Sequence, residues 1–546
     1  MAILRGLAKP VRYAALVAGA LPALAFPDAN LEFLAWFGLV PGLLIMRAAP
    51  GAREAAVRGW WFGAGFLMAN MYWLAPVLGP GLLLVAVVIG ALWTGVAVAA
   101  WALLRRPVSA RRALAALVVL PSYWLVIEWI RSWQALAGPW AVLGASQWQH
   151  PAVLALAAVG GVWLVSFAIV AANTGIVIML ISGTAGLRIL GAAATAIVVA
   201  AGPVAFALTP AAPVVRRVTV ALVQAGVQPT PALQGGASLR LTEAFARSRG
   251  GPGHARPDLI VWGESSIAFD LHAYHGQLAR LEALSAAEQA DILVNQDTTQ
   301  NGRKSKVAVL VGPAGIAGQY AKTRLVPFGE YIPFRQQLSW LTSISKAAPV
   351  NMTPGTGAHN LVAALPGGGR LTMGVLICFE SAFPDMSRVD TDHGAQLIVY
   401  QTSDTTFQDT WALGQHASYS ALRAAETGRP VVQAALTGDS VAFDDRGRLI
   451  SWSGPARAGV DAVRLGLPSA AARTVYDRLG DYVPWTAVAV VVATAVIALL
   501  RAGRRDGRLP IVWRRGHRRT PPAAGPGDQP RSGVMAGGQP DDPVAQ

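Results

Sequence analysis

Long uncharged apolar runs fill residues 11–208 and return at 483–500, whereas 214–475 alternates short apolar runs with charged segments. A membrane-crossing helix needs about 20 apolar residues. That criterion picks out 11–26, 31–47, 59–79, 82–104, 113–130, 154–182 and 189–208, then 483–500. The first run lacks an A-x-A cleavage pattern and further spans follow it at once, so it reads as the first transmembrane helix and not as a removed signal. Between the two apolar regions, residues 218–227, 258–265, 291–297, 306–313, 371–381, 395–403 and 430–436 are mostly near-continuous in Val, Ile and Leu, as in strands buried on both faces. Helical candidates at 237–249, 271–289 and 409–427 separate several of them, which predicts an α/β layered domain.

Composition agrees with lipid burial, since 53% of the 546 residues are hydrophobic and only 14% charged. The positive charges orient the spans. Arg5, Lys9 and Arg12 precede the first, Arg47, Arg53 and Arg58 separate the second and third, and Arg105, Arg106, Arg111 and Arg112 separate the fourth and fifth. The intervening loops 27–30, 78–81 and 132–152 are almost free of basic residues, so the arginine-rich loops belong to the cytoplasm. Seven spans from a cytoplasmic N-terminus put 209 onward on the external face, and the eighth returns the chain to a tail rich in arginine. The expected layout is a membrane domain over 1–210, an external domain over 211–480, a last span over 481–502 and a basic, then disordered, cytoplasmic tail over 503–546.

A net charge of +15 invites a nucleic-acid reading, but arginines beside apolar spans are explained by topology, and no nucleic acid is expected as a partner. Trp60, Trp61, Trp73 and Trp140 stand near membrane boundaries, where an indole is stable half wet, and are expected to be interfacial anchors. One cysteine excludes an intramolecular disulfide and a Cys-clustered zinc site. His359, His393 and His416 show no metal-ligand spacing, so they read as structural and no metal is assigned.

Three polar residues lie near the ends of apolar strand candidates: Glu264 after DLIVW, Lys322 after a run ending in Gln319 and Tyr320, and Cys378 near the end of LTMGVLI. Functional groups gather at strand ends in α/β folds. The three types complement one another: a carboxylate takes a thiol proton, an ammonium stabilises charge on an attacked carbonyl, and the thiolate forms a thioester. Each residue alone has a bland alternative, namely a buried small hydrophobe for Cys378, a surface carboxylate for Glu264 and a solvated lysine for Lys322.

The segments VWGES (261–265), YAKTRLVPFGEYIP (320–333) and GVLICFESAFPD (374–385) together resemble the Glu, Lys and Cys motifs of the nitrilase superfamily. The run KTRLVPFGEYIP, followed by Cys-Phe-Glu, with seven spans before and one after, is similar in particular to the apolipoprotein N-acyltransferase family over about residues 10–500. The resemblance implies an external αββα sandwich beside a helical bundle of about eight spans. It implies Glu264 as general base, Lys322 as transition-state stabiliser and Cys378 as nucleophile, with Glu330 and Glu380 in support. The Phe379 backbone N–H, next after the nucleophile, is the candidate oxyanion donor. Arg423, Glu426 and Arg429 look like a fold-supporting element, with a dimer contact as the alternative. The chain departs from the family pattern at Gly263, where proline is common, at Leu233, where some members carry tryptophan, and over Ser403–Phe407.

The implied reaction takes an acyl chain from a membrane phospholipid, through a thioester on Cys378, to the α-amino group of the lipidated N-terminal cysteine of an apolipoprotein. No cofactor is required, and the plasma membrane is the expected location. The alternatives are a membrane-tethered amidase or nitrile hydrolase using the same residues, and a non-catalytic scaffold or transporter. The oligomeric state stays open.

Overall fold

The computed structural model describes residues 10–136, 138–248, 256–300, 302–343, 348, 350–407 and 409–505; Arg5, Lys9 and all but the first three residues of the tail expected over 503–546 lie outside them. Met1–Thr494 forms one compact unit, and the last turns of the closing helix belong to a second, smaller one.

The middle of the chain folds as twelve strands: β1 Val214–Gln224, β2 Leu259–Trp262, β3 Asp291–Gln300, β4 Arg303–Gly312, β5 Gly315–Ala321, β6 Asn360–Ala364, β7 Arg370–Ile377, β8 Leu397–Thr402, β9 Val431–Ala435, β10 Ser440–Phe443, β11 Leu449–Ser453 and β12 Gly459–Pro468. They make two six-stranded sheets, ordered β12-β1-β2-β3-β4-β5 and β11-β10-β9-β8-β7-β6. Strands β1, β2 and β3 run parallel, as do β7, β8 and β9, and the outer pairings in both sheets are antiparallel. The two sheets thus repeat one plan, although no sequence period announces it.

Alternation along each strand builds the layers. Leu259 and Val261 of β2 face the core shared with the second sheet, while Ile260 and Trp262 face away from it. On that outer side lie Leu239, Leu241 and Phe245 of the helix Pro231–Ser248 and Leu278, Leu281 and Leu284 of the helix His275–Glu288. Helices Pro384–Asp392 and Ala412–Thr427 cover the second sheet. The result is the expected αββα sandwich.

Ala412–Thr427 is buried along its whole length, all sixteen residues including Gln415, His416, Arg423 and Glu426. The reason is a second neighbour. Its other side meets the N-terminal helices, where Glu426 Oε1 accepts the Val162 N–H (2.7 Å) and Gln415 Oε1 accepts Trp140 Nε1–H (2.7 Å). Arg423 pairs with Glu426 at 3.1 Å, and Arg429 donates to the carbonyls of Ser469, Ala470 and Ala472, so these three residues do hold the fold together.

Five helices among the described residues are long and apolar enough to cross a bilayer: Gly81–Leu104, Ala110–Arg131, Pro151–Ile181, Ala185–Leu208 and Tyr482–Arg501. The other three expected spans take different forms. Residues 11–26 form a shorter apolar helix, Pro10–Ala25. Residues 31–47 divide into Glu32–Trp36 and Val40–Arg47, the latter about 12 Å long and too short to span by itself. The helix Ala52–Asn70 begins with Arg53, Glu54 and Arg58, and Glu54 pairs with both Arg12 (2.6 Å) and Arg58 (3.4 Å).

The span expected at 154–182 corresponds to the helix Pro151–Ile181, which kinks where Gly160 and Gly161 leave helical geometry. Gly161 sits at φ +69°, and a Cβ there would come within 2.7 Å of the Tyr476 ring, so only glycine fits. One further expectation is corrected. Trp73 and Trp140 are not lipid anchors. Both are buried, stacked at 4.8 Å on each other, with Trp73 against Phe407 (4.9 Å) and Trp140 against His416 (5.8 Å). Their apolar area seals the seam between the helical bundle and the sandwich.

Candidate active site

Glu264 leaves β2 with its N–H donated to the Thr402 carbonyl of β8 (3.1 Å), so it sits where the two sheets meet. Gly263 before it is wedged, not slack. A Cβ there would stand 2.1 Å from the Leu436 nitrogen, and the close approach of two backbones demands glycine. Ser265, at φ +54°, turns the chain away and donates its N–H to Asn295 Oδ1 (2.9 Å). Asn295 Nδ2 in turn donates to Gln401 Oε1 (3.2 Å), and Gln401 Nε2 donates to the Trp262 carbonyl (2.9 Å), a buried polar brace across the sandwich.

Lys322 follows β5 and is fully enclosed. Its Nζ donates to Glu330 Oε1 (2.8 Å) and Glu264 Oε1 (3.2 Å). The other Glu330 oxygen accepts the Val326 N–H (2.8 Å), which closes the loop that follows Lys322. Cys378 follows β7 at the start of the short 3-10 turn Cys378–Ala382, in the left-handed region at φ +52° and partly open to solvent. Such strain in a non-glycine residue persists only where its surroundings hold it. Glu380 is the holder. Its Oε2 accepts the Ile377 N–H (2.7 Å), and its Oε1 accepts Tyr320 O–H (2.8 Å) and the N–H groups of Thr323 (2.7 Å) and Arg324 (2.9 Å). Fully buried, Glu380 ties the Cys378 turn to the Lys322 loop and touches neither reacting group. Phe379 packs its ring edge-on to Phe383 at 4.9 Å.

Glu264 and Lys322 are therefore in direct contact, and Cys378 stands near enough to both for their charges to act on its thiol. Burial pushes Glu264 upward, but the charges of Lys322 and Lys306 outweigh it and hold the carboxyl below its ordinary value. Burial and the Glu264 charge drive the Cys378 thiol well above its usual value, against the pull of Lys322. Lys322 is itself held well above the ordinary ammonium range, because Glu264 and Glu330 overcome its burial. The site thus sets a neutral thiol beside an ionised carboxylate and a fixed cation.

The sequence did not point to two neighbours. Lys306, at the β4 position facing Asp297, places Nζ 3.5 Å from Glu264 Oε1, 3.0 Å from Asp297 and 2.6 Å from Ser265 Oγ. His416, expected to be scattered with the other histidines, lies beneath the nucleophile: Nδ1 is 2.9 Å from Asp404 Oδ1 and Nε2 is 3.1 Å from the Cys378 carbonyl oxygen. Ligand atoms of Cys378, Asp404 and His416 gather within 4.8 Å, but both imidazole nitrogens already face protein acceptors, so hydrogen bonding accounts for the trio. The only sequence signal is positional, since Asp404 follows β8 by two residues as Glu264 follows β2. His359 lies away from the site against the Gln319 carbonyl. Leu233 is exposed near the start of Pro231–Ser248, and Phe407 joins the buried seam.

Residues 18–175 match the family model of the apolipoprotein N-acyltransferase N-terminal domain, and 219–470 match that of carbon-nitrogen hydrolases. A protein of Agrobacterium fabrum named apolipoprotein N-acyltransferase is 30% identical over 533 residues, covering 90% of this chain and 96% of its own length. The chain belongs to the apolipoprotein N-acyltransferase family. A namesake from Geobacter metallireducens is 28% identical across 89% of this chain and 95% of the relative. Among solved structures, a carbon-nitrogen hydrolase from Helicobacter pylori G27 matches with TM-score 0.34 and 15% identity, covering 46% of this chain and 89% of that one. In this family member, the hydrolase-like match coincides with the two-sheet domain that carries Glu264, Lys322 and Cys378.

Proposed function

We propose that the chain N-acylates apolipoproteins by two acyl transfers through Cys378. As Sγ attacks an ester carbonyl of a phospholipid, Glu264 takes the thiol proton, and the oxyanion is stabilised by the Lys322 ammonium and the Phe379 N–H. Collapse expels the lysophospholipid alkoxide, which takes the proton back from Glu264, and leaves a thioester. The α-amino group of the lipidated N-terminal cysteine of the apolipoprotein then attacks that thioester. Glu264 accepts the amine proton and returns it to the departing thiolate, giving the amide and free Cys378. Glu330 keeps Lys322 aimed, and Glu380 holds the nucleophile's turn.

This reading includes eight spans, seven before the sandwich and one after, with both termini cytoplasmic and the sandwich at the outer leaflet of the plasma membrane. The pattern of arginine-rich loops supports it. Both substrates are lipid-anchored, so a site fixed beside the bilayer meets them by lateral diffusion.

The observation that carries the proposal is the buried Lys322 held between Glu264 and Glu330, with the Cys378 thiol close enough to feel their charges, in a chain of this family. Intact-protein mass spectrometry after incubation with phospholipid, without acceptor, is the test. The expected result is one acyl mass added to wild type and none to Cys378→Ala; an unmodified wild-type protein would sink the proposal.

A further inference from the structure

The carbonyl of Cys378 and the N–H of Phe379 belong to one peptide unit, and His416 stands against the carbonyl end of it. A carbonyl oxygen can only accept, and so can a carboxylate. With Nε2 at 3.1 Å from the Cys378 oxygen and Nδ1 at 2.9 Å from Asp404 Oδ1, both ring nitrogens face acceptors, which an imidazole satisfies only when both carry hydrogen. We propose that His416 is held as an imidazolium by Asp404 and, by donating to the Cys378 carbonyl, polarises the peptide whose Phe379 N–H stabilises the oxyanion. It is a positioning residue acting through the backbone, and the inference rests on the thioester mechanism above.

The surroundings fit this role. His416 is 2% exposed, so its charge is not screened by water. Asp404 raises its basicity more than burial lowers it, and Glu264 and the Cys378 carbonyl act in the same direction. Asp439 also faces it, and the Asp439 carboxyl is pushed up to about 7, chiefly by burial. The Trp140 ring closes the remaining side at 5.8 Å. Hydrogen bonds in series strengthen one another by tens of per cent in a dry site. Applied to an oxyanion donor worth about 2.7–4 kcal/mol, a strengthening of about 10–30% is on the order of two- to eightfold in rate.

The sign of the pH effect follows. His416 is raised above its ordinary value by Asp404, so it keeps its charge to higher pH than a free imidazole and loses it as pH climbs through that raised value. Lys306 and Lys322 are held above the ordinary ammonium range and stay charged across this window. The experiment is the rate of acyl-adduct formation on the full-length protein against pH, by intact mass, with phospholipid vesicles as donor. Wild type should lose rate on the alkaline side. His416→Gln, which keeps a neutral donor for the carbonyl, should run about two- to eightfold slower at neutral pH and lack that alkaline fall. Asp439→Asn should keep the fall, and Asp404→Asn should move it to lower pH. Adduct in wild type with an unchanged alkaline fall in His416→Gln, or its disappearance in Asp439→Asn, overturns the role of His416 and leaves the thioester mechanism standing. Absence of adduct from wild type overturns the mechanism itself.

Discussion

Two carboxylates leave the sandwich at matching points. Glu264 stands two residues past β2 and Asp404 two residues past β8, each strand being the middle one of three parallel strands in its sheet. Both meet a buried cation, yet they are set for different work. Glu264 faces two lysines and the thiol, and its lowered pKa keeps it ionised, the state in which the proposed mechanism has it accept a proton. Asp404 faces a histidine whose other nitrogen is tied to backbone. The repeated fold supplies two equivalent seats for an acid, and the group placed opposite each seat decides whether it moves a proton or fixes a charge.

Substitutions can break that comparison. The largest effect is expected from Cys378→Ala, which removes the bond-forming atom and should abolish the adduct in mass spectra while the protein stays folded. Glu264→Gln should cut the acylation rate by roughly 10²–10⁴, the usual contribution of a positioned base, with little change in melting temperature. Asp404→Asn should cost only about two- to eightfold in the same stopped-time assay, because its effect passes through His416 and one peptide. Equal losses in the two variants would place both acids in the same chemical step. Smaller still is the pH response: the rate should persist as pH falls through the ordinary carboxylate range and drop only below it, where Glu264 finally protonates. An acid limb above that range would show that Lys322 and Lys306 do not govern the base.

The motif residues were legible because their chemistry is local to a strand end and a short segment. Glu264, Lys322 and Cys378 each follow an apolar run, and the runs become β2, β5 and β7. Strands β6, β11 and β12 escape the same criterion because they are sheet edges, half wet and without a continuous apolar stretch, and β10 spans only four residues. His416 is hidden for the opposite reason. It sits on a helix covered on both sides, where polar residues survive by hydrogen bonding to neighbours far away in sequence, and spacing along the chain carries no trace of them. Trp73 and Trp140 misled similarly: an indole near a membrane boundary looks the same whether lipid or a second domain covers it.

Glu426 completes the broken helix at Gly161 by taking the N–H of Val162, a carboxylate where the helix resumes and its amide dipoles favour negative charge. The consequence concerns anyone wishing to work in water. An excised fragment of residues 211–480 would strip one whole side from Ala412–Thr427, leave Glu426 without the Val162 amide it accepts from, and lay bare the seat of His416. The scissors that free the chemistry from lipid would also cut its scaffold.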